Sequence, residues 1–349
     1  MRAAAYPKGA TLLMLRRRAT IGKPNRRNFL GALCAASFSP ITATAQPRAF
    51  PLIGYLSSGS PRAFSKFLKA FQQGLTEAGF VDGRNLAIEY RWAEGHLDEL
   101  ETLAAELAAD RVAIIAATGG LRSVQAAKKA TSTIPIVAVL GFDPVQLGLV
   151  ESFNKPGGNI TGTSIIANEL GPKRLSLLYD LDPRIQKVAL LVNPASLNAD
   201  MEIQSVSAAA RNAGRPFVAL KAVSSSEIDV AFAAAADQGV QGIILNPDPF
   251  FTTQRSRLIA LAASHKIPVV YSFREFVDDG GLMSYGPSLA LAYRVAGIYA
   301  GRILTGIKPG DLPIEIPTKF EFVINLKTAK MMDLNITPGL LAIADDTVE

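Results

Sequence analysis

The stretch PLIGYLSSGSP, residues 51–61, sets the pattern for the rest of the chain. Its first six residues form an apolar run as long as one buried β-strand. Ser60 and Pro61 then favour the start of a helix, as N-cap and first-turn residue. Apolar residues recur at helical spacing across residues 64–75, and Gly79 favours the end of that helix. A buried strand followed by an amphipathic helix is the repeating unit of α/β proteins.

Strand and helix patterns keep alternating as far as residue 271, in two halves of the same order. In the first half, the predicted strands are residues 51–56, 86–92, 111–117 and 134–140, and the predicted helices are residues 64–75, 97–107 and 123–129. In the second half, the strands are residues 187–192, 217–223, 242–246 and 267–271, and the helices are residues 198–213, 224–236 and 253–264. We therefore predict an α/β fold with two similar lobes, each a parallel sheet flanked by helices.

The two lobes are predicted to be joined by hinge crossovers at two glycine-rich segments, residues 157–162 and 280–286. More than one crossing is needed because a predicted helix at residues 289–304 and a strand at residues 319–325 follow the second half. The expected boundaries place residues 46–160 and 284–315 in lobe 1, and residues 161–283 and 316–349 in lobe 2.

Residues 1–45 have the features of an export signal peptide. A basic region precedes the apolar stretch 29–36, which is too short to span a bilayer, and Ala43-Thr44-Ala45 fits signal peptidase. We predict cleavage after Ala45 and a periplasmic mature chain without stable membrane insertion. Arg26-Arg27 resembles the twin-arginine export signal, and an ordinary secretory signal that happens to hold an arginine pair is the alternative.

Charge and composition exclude several classes of function. Eight of the 36 Lys and Arg residues and none of the 30 Asp and Glu residues lie in residues 1–45, so the mature chain is slightly acidic. A general attraction to nucleic acid is therefore not expected. Cys34, in the leader, is the only cysteine, and His96 and His265 are the only histidines. We accordingly predict no disulfide, no metal site and no cofactor.

Small and polar residues follow the predicted strands, and open parallel sheets bind their ligands at those carboxyl ends. Hydroxyl and glycine residues before a helix expose backbone N–H groups that hold a carboxylate or phosphate, although the same residues also serve as caps and turns. The candidate ligand-binding residues are Ser57, Ser58, Thr118, Gly119, Gly120 and Asp143 in the first half, and Asn193, Asn246, Asp248, Ser272 and Tyr285 in the second.

The sequence lacks the motifs of common α/β enzymes. It contains no G-x-G-x-x-G after the first strand, no Walker A loop and no G-x-S-x-G elbow. Asp143 and Asp248 are conceivable as an acid–base pair, yet each precedes a proline in a turn, where Asp commonly bonds the backbone. We therefore predict a protein that binds its ligand without catalysis.

An ordered set of short motifs spans the chain after the leader. The motifs are GRNLAIEYR at residues 83–91, DPV at 143–145, GNITG at 158–162, GLMSYG at 281–286, NLKTA at 325–329 and ADD at 344–346. With them, the chain resembles the substrate-binding proteins of ABC transporters, in the group that includes tryptophan- and aromatic-amino-acid-binding members. The resemblance implies a type I periplasmic binding fold, two lobes that close on a ligand, and the membrane permease of an ABC importer as partner. We expect a monomer.

These features predict a ligand that is a small carboxylate with an apolar or aromatic part, such as an amino acid or an aromatic acid. Helix N-termini after Ser57-Ser58 and Thr118-Gly119-Gly120 would favour its anionic group, and Asp143 or Asp248 would pair with an ammonium. The aromatic candidates to flank its apolar part are Tyr55, Phe142, Phe250, Phe273 and Tyr285. A ligand-sensing regulator of the same fold and an α/β enzyme are the alternative functions.

Overall fold

The computed structural model describes residues 50–166, 170–317 and 319–349. The predicted export signal, its cleavage after Ala45 and Cys34 lie outside the described residues. The strands are β1 Leu52–Ser57, β2 Ala87–Trp92, β3 Ile114–Thr118, β4 Ile136–Leu140, β5 Ile160–Ser164, β6 Val188–Val192, β7 Phe217–Lys221, β8 Gly242–Leu245, β9 Val269–Tyr271, β10 Met283–Pro287, β11 Phe320–Asn325 and β12 Asp346–Val348.

The helices are α1 Ser65–Glu77, α2 Leu100–Ala109, α3 Leu121–Ala130, α4 Gly171–Leu181, α5 Ala199–Asn212, α6 Ser225–Asp237, α7 Pro249–Thr253, α8 Arg255–Ser264, α9 Arg274–Asp278, α10 Leu289–Leu304, α11 Leu326–Met331 and α12 Pro338–Ala342. Within the described ranges, no helix combines the length and the apolar character that a membrane span needs.

The strands form two sheets of related topology. The first has the order β2-β1-β3-β4-β5, and all neighbouring strands are parallel. The second has the order β7-β6-β8-β9-β10-β11-β12, and its first five strands repeat the parallel order of the first sheet. β11 then joins β10 antiparallel, and β12 joins β11 in parallel. The predicted α/β fold with two similar lobes is confirmed.

Apolar runs place the central strands inside the protein. Every residue of β1, β3, β4, β6 and β8 is buried, as expected for parallel strands whose two faces are covered by helices. The edge strands β2 and β7 are only partly buried. α10 packs against α1 and contacts β3, β4 and β5, so this C-terminal helix is attached to the first sheet.

The chain crosses between the sheets just after the segments predicted to be crossovers. Residues 157–162 lead into β5 at the edge of the first sheet, and residues 280–286 lead into β10 in the second. Sheet membership therefore shifts the expected lobe boundaries, because residues 161–164 lie in the first sheet and residues 284–287 in the second. The crossings lie between β5 and α4, between β10 and α10, and between α10 and β11.

The last glycine of each of those two segments lies where a neighbouring backbone approaches closely. A Cβ atom on Gly162 would lie 2.0 Å from the carbonyl oxygen of Ala138 on the neighbouring strand. A Cβ atom on Gly286 would lie 2.0 Å from the carbonyl oxygen of Ser272. Both positions accept only glycine because a neighbouring main chain occupies the space of a side chain.

Candidate ligand-binding site

Two adjoining cavities open at the carboxyl ends of strands from both sheets. The outer cavity has a volume of about 300 Å³, and the inner one about 70 Å³. They share five lining residues from the loops after β3, β4 and β8: Gly119, Gly120, Phe142, Asp248 and Pro249. Because both lobes contribute to both cavities, the two form one continuous cleft between the lobes.

The inner cavity is mainly apolar, and four aromatic rings are among its lining residues. Its lining includes Phe64, Phe142, Phe273 and Tyr293. Tyr293, from α10, is buried, and its hydroxyl accepts a hydrogen bond of 3.3 Å from the Gly119 N–H. Burial raises the pKa of the Tyr293 hydroxyl well above its ordinary value, so the group stays neutral. These walls suit a compact apolar or aromatic group.

The first-lobe wall of the outer cavity is built around the start of α3. Gly119 and Gly120 precede this helix with φ values of 76° and 103°, and Gly120, at the N-cap, has no side chain to cap the first turn. The Ser58 hydroxyl donates to the Gly119 carbonyl oxygen, which ties the loop after β1 to the loop after β3. The first-turn N–H groups of α3 therefore favour a negative charge in the cleft.

The loop after β1 differs from the prediction. Ser60 and Pro61 were expected as N-cap and first-turn residue, but α1 begins at Ser65 with Phe64 at its N-cap. The Ser60 carbonyl oxygen accepts a hydrogen bond of 3.1 Å from the Phe64 N–H, which closes a turn over residues 61–64 before the helix. Of the two predicted helix N-termini in the first lobe, the structure therefore brings only that of α3 to the cleft.

The second-lobe wall brings Asn193 and Asp248 together. The Asn193 Nδ2 donates to the Asp248 Oδ1 at 3.0 Å, and the Phe250 N–H donates to the same oxygen at 2.9 Å. Asp248 is thereby the N-cap of α7 while it also lines both cavities. Burial raises the pKa of the Asp248 carboxyl, and the hydrogen bonds from Asn193 and Phe250 oppose that rise.

A buried ion pair supports the loop after β8. Arg174 Nη1 on α4 lies 3.7 Å from Glu202 Oε1 on α5, and both side chains are fully buried. Asn246 donates its amide N–H to Glu202, and the Arg174 Nε donates to the Tyr285 carbonyl oxygen at 2.9 Å. Burial lowers the pKa of Arg174 to about 10 and raises that of Glu202 to about 7. The cluster fixes the residues that lead into Asp248.

Three of the predicted hydroxyl residues, Ser57, Thr118 and Ser272, are buried and line neither cavity. The hydroxyls of Thr118 and Ser272 donate to carbonyl oxygens of the neighbouring strands β1 and β8, at 3.2 and 2.9 Å. The Ser57 hydroxyl accepts from the Gly59 N–H at 3.2 Å. These side chains brace the strand ends instead of facing a ligand.

Asp143, Asn246 and Tyr285 also lie outside the lining of the two cavities. The Asp143 Oδ1 accepts from two backbone N–H groups of its own turn, at 2.8 and 3.1 Å. The Tyr285 ring packs on two rings of β11, with centroids 6.1 and 6.5 Å apart. Asn246 bonds Glu202. The cleft therefore does not join Asp143 to Asp248 as the acid–base pair considered from sequence.

Some of the aromatic residues predicted to flank the ligand line the cleft, and others pack elsewhere. Phe142, Phe250 and Phe273 line the cleft. Tyr55 is fully buried in the core, where its ring lies 5.4 Å from that of Phe71.

The cleft also contains residues that the sequence pattern did not single out. Arg122, in the first turn of α3, lines the outer cavity, and the exposed apolar residues Leu97, Leu197 and Val223 line its rim. Arg122 and Asp248 are the charged residues among the described lining residues. Within the described ranges, no group of three or more His, Cys, Asp or Glu residues is placed to hold a metal ion. No local signal marks Arg122, because its direction depends on how α3 packs on the sheet.

Residues 60–348 match the sequence profile of a family described as ABC transporter substrate binding protein. The chain belongs to this family. This substrate-binding protein is 28% identical over 272 residues to the tyrosine-binding protein of Clostridioides difficile strain R20291, and the alignment covers 78% of each chain.

Solved structures show the same fold. The substrate-binding protein is similar to the ABC domain in complex with L-Trp from Streptococcus pneumoniae, with 24% identity, a TM-score of 0.75, and coverage of 86% of this chain and 100% of that one. It is also similar to the ligand-free, open structure of a substrate-binding protein with adhesive properties from Clostridium difficile, with 23% identity, a TM-score of 0.61, and coverage of 86% and 99%. The type I periplasmic binding fold that the resemblance implied is confirmed.

Proposed function

We propose that this substrate-binding protein captures a small amphipathic carboxylate, an amino acid or an aromatic acid, and delivers it to the membrane permease of an ABC importer. The observation that carries the proposal is the continuity of an apolar inner cavity, lined by four aromatic rings, with an outer cavity that contains Arg122, Asn193 and Asp248. An apolar group fits the first cavity, and a charged, hydrogen-bonding end fits the second.

Each lobe supplies one kind of polar contact to such a ligand. In the second lobe, Asp248 offers a carboxylate for an ammonium, and Asn193 holds it in place at 3.0 Å. In the first lobe, the uncapped start of α3 after Gly120 favours the ligand's carboxylate. The tyrosine-binding relative and the structure that holds L-Trp support an amino acid as the ligand.

Contacts across the cleft support capture by lobe closure. A Cβ atom on Gly120 would lie 2.9 Å from Cγ of Pro249. Lys66 Nζ on α1 lies 3.0 Å from Asp279 Oδ1, which directly follows α9. A ligand that bonds both walls stabilises the arrangement in which these contacts form, and so shifts an open–closed equilibrium towards closure.

Export to the periplasm belongs to the same proposal. Members of this substrate-binding family are typically exported, and the basic and apolar residues before Ala45 have the order of an export signal. We assign the cleft residues to binding without catalysis, in a monomeric protein.

A thermal-shift screen of amino acids, aromatic acids and short carboxylates, followed by calorimetric titration, tests the proposal. We expect one ligand class to raise the melting temperature by mass action and to decrease the radius of gyration measured by small-angle scattering. The proposal fails if no compound of these classes binds. An unchanged radius of gyration at saturation would contradict closure, and conversion of the bound compound during incubation would favour the enzyme alternative.

A further inference from the structure

Arg122 is an exposed cation in the wall of the outer cavity. Its side chain has no hydrogen bond or ion pair with any residue in the described part of the chain. Three other basic residues near the carboxyl ends of the strands are paired: Lys66 and Arg255 with Asp279, and Arg274 with Asp346. The guanidinium of Arg122 is therefore the positive charge that the described cleft residues leave without a counter-ion.

Among the described residues, the carboxylate of the opposite wall forms no ion pair with Arg122. Asp248 is the anionic residue among the described lining residues, and it belongs to the second lobe. Its Oδ1 is bonded by Asn193 and by the Phe250 N–H, which direct it into its own wall. A ligand bound between the lobes therefore meets a cation on one wall and a carboxylate on the other.

We infer that Arg122 binds the carboxylate of the ligand and makes that carboxylate a requirement for tight binding, an inference that rests on the proposed function. The guanidinium presents a planar pair of N–H donors that matches a carboxylate in bidentate geometry. The first-turn N–H groups of α3 add a positive potential at the same place.

The position of Arg122 also sets the orientation of the ligand. Arg122 lines the outer cavity and not the inner one, whose described walls are aromatic and aliphatic apart from Asp248, Thr252 and the buried Tyr293. A carboxylate in the inner cavity would lose its hydration without meeting a cation. The ligand therefore lies with its apolar group in the inner cavity and its carboxylate in the outer cavity, beside Arg122.

The substrate is therefore an amphipathic solute with a free carboxylate. The neutral amide of the same solute should bind more weakly than the acid. An amide keeps the shape and the apolar group but removes the negative charge. It would leave Arg122 without its partner in the closed cleft, which is a cost that the acid does not have.

Calorimetric titrations of the mature protein with L-tryptophan, L-tyrosine and their carboxamides test the inference. We compare the wild type with Arg122→Ala and with Arg122→Lys, which retains the charge but not the planar donor pair. Arg84→Ala is the matched control, because Arg84 is an exposed arginine of the same lobe that precedes β2, at the opposite end of the first sheet. Circular dichroism and the melting temperature of each variant report folding.

We expect Arg122→Ala to weaken the affinity for the amino acid by about tenfold to a hundredfold. The affinity for its amide should fall by less than about threefold. Arg122→Lys should give an intermediate loss, and Arg84→Ala should match the wild type. The inference is overturned if Arg122→Ala weakens acid and amide equally, or neither, while the wild type still binds the acid; the proposed function then stands. If the wild type binds only the amides, the inference about Arg122 fails while capture of an amphipathic solute remains. If it binds none of these compounds and no other carboxylate, the inference and the proposed function both fail.

Discussion

Gly120 and Pro249 meet across the cleft so closely that a Cβ atom on Gly120 would lie 2.9 Å from Cγ of Pro249. Gly120 directly precedes α3 in the first lobe, and Pro249 is the first residue of α7 in the second. Both residues line the inner and the outer cavity. Their contact therefore lies where the two cavities meet.

Replacing Gly120 by alanine should impair both stability and binding. Gly120 has φ 103° and ψ −176°, a conformation that is strained for any residue with a Cβ atom. We expect Gly120→Ala to lower the free energy of unfolding by about 1–3 kcal/mol because of this strain. It should also weaken ligand binding, because the methyl group collides with Pro249 on closure. Urea denaturation and calorimetry measure the two effects. Gly158→Ala, where a Cβ meets open space, is the control, and equal behaviour of the two variants would contradict this reading.

The ion pair of Lys66 should contribute weakly to closure. Lys66 Nζ lies 3.0 Å from Asp279 Oδ1 and 3.6 Å from Asp278 Oδ2, but the side chains are 46%, 31% and 29% exposed. We expect Lys66→Ala to weaken ligand binding by at most about 1 kcal/mol and to reduce its dependence on salt, as for other exposed pairs. Titrations at low and high salt test this, with Lys69→Ala on the same helix as control. A loss that is independent of salt would show that Lys66 acts through packing.

The two roles of Asp248 can be separated by substitution. Asp248→Asn keeps an N-cap acceptor for the Phe250 N–H but removes the negative charge. We expect a ligand with an ammonium to lose on the order of 2–5 kcal/mol in binding, with little change in stability. Asp248→Ala should in addition lose about 1 kcal/mol of stability because the cap is gone.

The matched ligand control for Asp248 is an aromatic acid that lacks the ammonium. Its affinity should be similar in wild type and Asp248→Asn. If the amino acid also binds the variant within a factor of two of wild type, Asp248 is a capping residue and not the partner of an ammonium.

The carboxyl of Glu275 should make stability depend on pH. Glu275 is 3% exposed, its Oε2 has no hydrogen-bond partner in the described residues, and burial raises its pKa to about 7 from 4.5. The facing charged groups are Asp278, Arg255 and Lys66. Because the folded-state pKa lies above the unfolded value, this contribution is present below pH 4.5 and is lost as pH rises towards about 7.

Removing that carboxyl should therefore flatten the pH profile. We expect Glu275→Gln to raise the free energy of unfolding by about 1–3 kcal/mol near pH 8, and by less near pH 5. Glu202, whose pKa is also about 7, should keep part of the pH dependence of the unfolding free energy in the variant. Urea denaturation across this range measures the effect, with the exposed Glu99→Gln as control. A parallel shift at every pH would mean that packing, not titration, is responsible.

The leader gives a prediction that needs no ligand. We expect exported protein to begin at Gln46, because Ala43-Thr44-Ala45 fits signal peptidase. N-terminal sequencing of the periplasmic fraction checks this, and a mature form that retains Arg26-Arg27 would contradict it. Replacing both arginines by lysine should block export by the twin-arginine route and leave the ordinary secretory route working.

The sequence by itself determined the two-lobed α/β fold and the edge of each sheet where the ligand site is sought. Apolar periodicity is local, and the order of strands and helices repeats in both halves, so the parallel sheets followed from residues 51–140 and 187–271. Parallel strands end at one edge, which is why the strand-end positions predict Ser58, Gly119, Gly120, Asn193 and Asp248, all of which line the cleft.

The tertiary structure alone decided which strand-end residues line the cleft. Thr118 and Ser272 look like Ser58 in sequence, yet their hydroxyls are taken up by carbonyl oxygens of neighbouring strands some 27 to 62 residues away along the chain. Residues around Gly162 and Gly286 were predicted as hinge crossovers, but they lie in strands whose glycines make room for another backbone. The direction of Arg122 and the pairing of Arg174 with Glu202 depend on how helices pack, because side-chain partners distant in sequence leave no local pattern.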